Sequence, residues 1–333
     1  MADPLVILLL RQFKADLLAR EAVQMALMAR RWIVVEDALD AAILRVAERI
    51  EELTEEGGTV SPSRILQLDR YRSLLAQAER EVMRYVSFAD GDITAEQTRL
   101  GELAIEQSVQ TINATYASAN AVPGLFDVLP VDAIENMIGF AGDGSPLRAL
   151  LEEAWPTSAQ AMTEALIRAT ALGINPRETA RRMREGLEQG LNRILTIART
   201  EQLRVYREAG RQAYQESGVV TGYRRLATHD DRVCPACLFA EGQVYELDEP
   251  LDEHPNGRCA QVPIVKNLPP ITWQTGPTWF NDQDAETQRS ILGPGRYEAW
   301  QAGQFALDAL ISRSSDPTWG GSLTPTPLSD LTG

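Results

Sequence analysis

The chain has 333 residues, 44% of them hydrophobic and 24% charged, ordinary proportions for a globular protein of two or three domains. Aromatic residues are scarce at 6%, which argues against a large all-β core. A net charge of −15 excludes a generally basic nucleic-acid coat. Only Lys14 and Lys266 are lysines among the 32 basic residues. The arginine excess reads first as genome composition and second as a preference for bidentate anion contacts. Three cysteines, an odd number, do not make a disulfide framework and point to a reducing cytoplasm.

The apolar run over 5–10 is too short to span a membrane. It has no positively charged lead-in and no small-residue cleavage site, so it reads as the buried first turn of a helix rather than a signal peptide. Val35, Leu39, Ile43, Val46, Ile50 and Leu53 then recur every three or four residues, one face of a long helix. Residues 55–58 (EEGG) end it, with Gly57 suited to a left-handed cap. Ser61 as N-cap and Pro62 at the first helical position start the next helix. Leu68, Tyr71, Leu75, Ala78, Val82 and Tyr85 form its seam. Asp90-Gly91-Asp92 reads as a break, and Ile105, Val109, Ile112 and Tyr116 as a third helix. An intramolecular bundle explains these stripes more simply than a partner-binding arm.

Residues 121–130 (AVPGLFDVLP) read as a linker. Helices are expected over 131–140 and 146–171. Asn175, Pro176 and Glu178 then supply an N-cap, a first-turn proline and the far half of a capping box. This start predicts one helix over about 176–188 and another over about 190–216. Strands are expected near 220–228, 243–247 and 261–265. Beyond Pro269-Pro270 a Trp/Gly/Pro-rich tail shows one helix, over 297–312, and ends in an extended or partly disordered stretch.

The sharpest chemical signal is Cys234-Pro-Ala-Cys237 followed by His254-Pro-Asn-Gly-Arg-Cys259. Two close cysteines and a later His/Cys pair have the spacing of a tetrahedral zinc site, and four such ligands would close the shell. That makes a bound zinc structural. A redox CxxC is disfavoured because the pair lies in a turn between short strands, not at a helix start in a βαβ unit. A zinc deaminase is disfavoured because Asp230 and Asp231, not x-Glu, follow His229, and Pro235 lies inside the pair. Three packed thiols without metal stay open beside zinc. His229-Asp230-Asp231-Arg232 reads as a turn more readily than as acid/base machinery.

Between residues 173 and 232 lie 12 arginines against eight acids, a net of +4 that leaves −19 on the remainder. Arg177, Arg181 and Arg184 share one helical face, and Arg204, Arg207 and Arg211 share another. This strip is a candidate contact for nucleic-acid phosphates. Its plainer reading is a solvated face laced by Glu178, Glu185, Glu201 and Glu208. The 173–188 segment also looks like half of a helix-turn-helix.

Ala198-Arg199-Thr200-Glu201, a long helix, a strand, LATHDDRVCPAC, GQVYEL and HPNGRC occur in that order. This series resembles the phage head morphogenesis proteins, the family of the phage Mu minor head protein F and its relatives in other tailed phages. The resemblance covers roughly residues 130–265. One departure is Gly257, where the family usually carries the first cysteine of HPNCRC. The resemblance implies a minor component of the phage head, entering the procapsid in few copies and associated with the portal protein, with major capsid or scaffold protein as further candidate partners. It also implies a role in DNA packaging or delivery with weak, nonspecific DNA contact. The location implied is the virion interior, and the host cytoplasm during assembly, with no membrane partner.

The expected fold is mainly α with a small α+β C-terminal module, an N-terminal helical bundle and a short antiparallel sheet carrying the Cys/His cluster. The expected division is a helical region over 1–120, the helical part of the head-morphogenesis domain over 121–217, a small β module over 218–270 and the tail over 271–333. The expected function is binding, not catalysis. The rivals are a nuclease or toxin-type enzyme using Asp230 and Asp231, and a DNA-binding regulator using the 173–216 helices.

Overall fold

The computed structural model describes residues 3–56, 60–316 and 318–332. Three long helices set its frame: α1 (Leu5–Glu55), α3 (Asp69–Ser118) and α6 (Pro176–Glu216). At 1.5 Å per residue, α1 and α3 are each about 75 Å long. Between them lies the one-turn-and-a-half α2 (Pro62–Gln67), which starts at Ser61. The Ser61 hydroxyl accepts a hydrogen bond from the Arg64 amide, and Pro62 takes the first helical position, as its sequence predicts. The cap expected at Gly57 lies outside the described residues.

The stripe from Val35 to Leu53 is buried along α1 and meets Tyr71, Leu74, Ala78, Val82, Tyr85 and Ala89 of α3. Trp32 sits edge-on to Tyr85 at 4.9 Å, and the Tyr85 hydroxyl donates to the Met28 carbonyl at 2.8 Å. Burial of each such side chain contributes about 1.5–3 kcal/mol.

The break expected at Asp90-Gly91-Asp92 is absent, and α3 runs straight through it. Ala89 and Ile93 stay buried on either side, and Asp92 accepts a hydrogen bond from Gln24 of α1 at 2.8 Å. Packing of the flanking turns overrides the weak helix propensity of these three residues.

Residues 119–130 carry no regular structure, in keeping with the expected linker. Val131–Met137 is a 3-10 turn rather than an α-helix. After it come α4 (Leu147–Glu152) and α5 (Ala154–Ala171). Asn175 caps α6 through the Glu178 amide at 3.0 Å. The two helices expected over 176–216 are one helix of 41 residues. Gly186 and Gly190 let α5 approach closely. A Cβ at 186 would lie 2.7 Å from the backbone at Ala161 and Met162, and one at 190 would lie 2.2 Å from the Ser158 hydroxyl. The helix-turn-helix half is likewise corrected to the tip of a long antiparallel pair.

The first sheet has the order β2-β1-β3, all antiparallel, from β1 (Val220–Leu226), β2 (Val244–Glu246) and β3 (Ala260–Val265). A short helix, α7 (Pro235–Phe239), lies between β1 and β2. Val6, Ile7 and Leu10 of α1 pack with Ala114 of α3 and with Leu226 and Val262 of the sheet. Lys14 is buried there and donates to the carbonyls of Leu226 and Ala227 at 3.2 and 3.0 Å.

The tail departs from expectation twice. Its helices are α8 (Gly276–Asn281), α9 (Ala285–Leu292), α10 (Pro294–Gln301) and α11 (Leu328–Thr332), so the helix expected over 297–312 ends at Gln301. The stretch expected to be loose holds a hairpin of β4 (Ile311–Asp316) and β5 (Gly320–Pro325). Phe280, Leu292 and Leu310 share a core with Cys237, Leu238 and Phe239, and Leu323 packs on Ala236 and Ala240. The aromatic and leucine side chains scattered through the tail are what hold it on α7. None of the described helices is long and apolar enough to cross a membrane.

Candidate metal centre

Cys234 is the N-cap of α7, and Cys237 is buried one turn on. The CxxC therefore does start a helix, but one of five residues beside an antiparallel sheet, not the βαβ unit of a redox motif. His254 lies in the loop before β3, and Cys259 is buried at that strand's start. The ligand atoms of Cys234, Cys237 and His254 lie within 4.8 Å of one another. So do those of Cys237, Glu253 and Cys259. The four residues expected from spacing thus form two overlapping groups joined at Cys237, and Glu253 is an addition. A metal ion fits this donor set of thiolates, imidazole and carboxylate.

The second shell is ordered for metal binding. His254 Nδ1 bonds the Pro255 carbonyl at 2.8 Å, which leaves Nε2 to face the cluster. Hydrogen bonding from Cys237, aided by His254, pulls the Cys234 thiol down to about 4. Cys237 is pushed up by its hydrogen bonds to Cys234 and Cys259 and by burial. Burial alone lowers His254, but the Cys234 contact and the Glu253 charge more than offset it and lift it to about 9. The contact between Cys234 and His254 thus favours the charged form of each.

Cys234, Cys237, His254 and Cys259 line one wall of a cleft of about 420 Å³, whose other walls include Glu21 of α1 and Arg199 of α6. Solvent reaches the cluster from that side.

α6 holds the ligand loop. Arg199 pairs with Glu21 and donates to Asn256 Oδ1 at 3.4 Å. Thr200 Oγ1 accepts from the Asn256 amide at 3.1 Å, and Arg207 donates to the Gly257 carbonyl at 3.1 Å. Asn256 adopts φ +62°, a left-handed turn that asparagine tolerates. The ARTE and HPNGRC pieces, more than 50 residues apart, are two halves of one contact.

The arginine strip is largely committed inside the molecule. Arg181 pairs with Glu178 and Glu185, and Arg184 pairs with Asp40. Arg204 bonds Glu201 and the Phe140 carbonyl, and Arg211 bonds Glu208 and the Leu247 carbonyl. Arg207 holds the ligand loop, and Arg177 is exposed at the start of α6. This is the laced face of the plainer reading. His229 also stands apart from the cluster: it bonds Glu241 at 2.6 Å and stacks on Trp279 at 4.9 Å. Asp230 accepts from the Arg232 amide and from Arg258, the turn its sequence suggests.

Sequence reasoning missed Glu253 and Arg225. Arg225 is fully buried on β1 and donates to Tyr245, Asp252, Glu253 and Cys237. Its signal was its place in the alternation of β1, on the face that Tyr223 shares. Glu253's signal was adjacency to His254.

Fold and site together define a mainly α protein whose small antiparallel sheet carries a Cys/His cluster, clamped by a long helix. Residues 160–262 match the family described as Phage Mu protein F like protein, the same family that the ordered sequence pieces resemble. No curated protein and no solved structure matches the chain.

Proposed function

We propose that this protein is a minor head protein of a tailed phage, acting in head assembly through association with the portal protein and in packaging or delivery of DNA. The observation that carries the reading is the family match over 160–262, whose separate motifs converge on one clamped loop. The cluster binds structural zinc through Cys234, Cys237 and His254, with a fourth donor beside them. The protein works by binding. The acids of the enzyme rival do not favour catalysis, since Asp230 is held by Arg258 and Asp231 is exposed on the turn.

Apolar side chains exposed on α1 (Val23, Leu27 and Val34) and on the connector (Val122, Leu125 and Val128) supply a surface for a protein partner. Deleting residues 1–120 would not test this, because α1 and α3 supply core that α6 shares. Charged substitutions at exposed positions do. Co-expression with the cognate portal and size-exclusion chromatography should give a shared peak. Val23→Asp with Leu27→Asp and Val34→Asp should weaken it without changing the circular dichroism. A full-length protein that never co-migrates with portal and is missing from purified virions defeats the reading.

A further inference from the structure

We propose that Glu253 is a ligand of the metal centre, completing it with Cys234, Cys237 and His254. The inference rests on the reading of the cluster as a metal site. Three observations carry it.

The first is distance. Glu253 Oε1 lies 3.4 Å from Cys237 Sγ and 3.6 Å from His254 Nε2. Around a tetrahedral zinc, bonds of about 2.3 Å to sulfur and about 2.0 Å to nitrogen or oxygen put sulfur and oxygen about 3.5 Å apart, and nitrogen and oxygen about 3.3 Å apart. Two edges of the tetrahedron are already at ligand length.

The second is orientation. Arg225 takes the other carboxylate oxygen, Oε2, at 3.3 Å and also reaches Cys237 Sγ at 3.7 Å. Arg225 does not depend on Glu253 for neutralisation, because Asp252 pairs with it at 2.6 Å and Tyr245 accepts two further bonds. Oε1 is therefore left facing a thiol and an imidazole at a fully buried position.

The third is space. A Cβ at Gly257 would lie 2.1 Å from both Cγ and Oε1 of Glu253. Any side chain at 257 and the present placement of Glu253 exclude each other, so the glycine is what admits the carboxylate. Cys259, which lies beside both Cys237 and Glu253, is then their hydrogen-bonding neighbour rather than the fourth ligand.

The test is cobalt titration of metal-stripped, reduced full-length protein, followed by visible absorption, with Glu253→Gln and Gly257→Ala beside the wild type. Wild type should bind one cobalt with tetrahedral bands. Both variants should bind at least about tenfold more weakly with displaced d–d bands, although Gly257→Ala alters no ligand atom. X-ray absorption on the zinc-loaded wild type, which needs no variant to fold, should count two sulfur and two nitrogen or oxygen neighbours. Three sulfurs and one nitrogen, or variants that match the wild type in affinity and spectrum, overturn the assignment of Glu253 while leaving the metal site standing. A wild-type protein that takes up neither metal defeats the metal reading itself.

Discussion

The carboxylate of Asp230 accepts two hydrogen bonds from Arg258, at 2.5 and 2.9 Å, and one from the Arg232 amide at 3.1 Å. Partial burial works against its ionisation, but these bonds and the arginine charge prevail, and its titration is moved below the ordinary aspartate value. A carboxyl lowered in the folded state adds stability that is complete above its unfolded value. That stability is lost as the pH falls through the folded one. Asp230→Asn should therefore cost about 1 kcal/mol at pH 7, the scale of a half-exposed pair. The gap to wild type should close below about pH 3, as seen in chemical denaturation followed at both pH values. A gap that is unchanged in acid would show that the pair contributes through shape alone. At this scale the cysteines and His254 were legible because ligand spacing is local in sequence. Glu253, Arg225 and Lys14 were not, because burial of a charge depends on partners supplied by other elements.

Glycines in helices give opposite results according to what faces them. Gly91 of α3 is exposed, with nothing within 4 Å of a Cβ built there. Gly91→Ala should stabilise the protein by about 0.5–1 kcal/mol, because alanine loses less backbone entropy on folding. Gly186 of α6 faces the backbone of α5, so the same substitution must push two helices apart. Gly186→Ala should cost about 1–3 kcal/mol despite its better helix propensity. Thermal unfolding of the two variants settles both signs, and a stabilised Gly186→Ala would mean the helices are less tightly paired than described. Such glycines explain why element boundaries misled where element types did not. Gly91 stood in the expected break and meets nothing, whereas Gly190, at the expected boundary between two helices, is like Gly186 a packing requirement. The capping signals at Ser61 and Asn175 were reliable because their hydrogen bonds close within three residues.

Across the whole molecule, the arginines of α6 are laced into pairs within the chain rather than gathered into one free basic face. Arg204 and Arg211 lie partly buried on Glu201 and Glu208, while Arg181 and Arg184 form exposed pairs with Glu178, Glu185 and Asp40. The main-α architecture and the small sheet were legible from periodicity and β-branched alternation. The folded tail was not, since its helices are five to eight residues long and are held by contacts with α7 rather than by any internal pattern.

The seating of Val6, Ile7 and Leu10 against Leu226 and Val262 fixes an order of events during synthesis. These turns of α1 wait for strands made more than 200 residues later. Until β3 has emerged, the start of α1 has no sheet to dock on, and a non-local contact of this kind forms late. Nascent chains stalled with residue 240 at the tunnel exit should be cut by protease within residues 5–14. Chains stalled with residue 300 at the exit should be protected there. Early protection in the shorter chains would show that α1 docks without the sheet. Joining α1 to the sheet of β1, β2 and β3 means that a chain broken off before β3 keeps the start of α1 undocked and open to proteolysis.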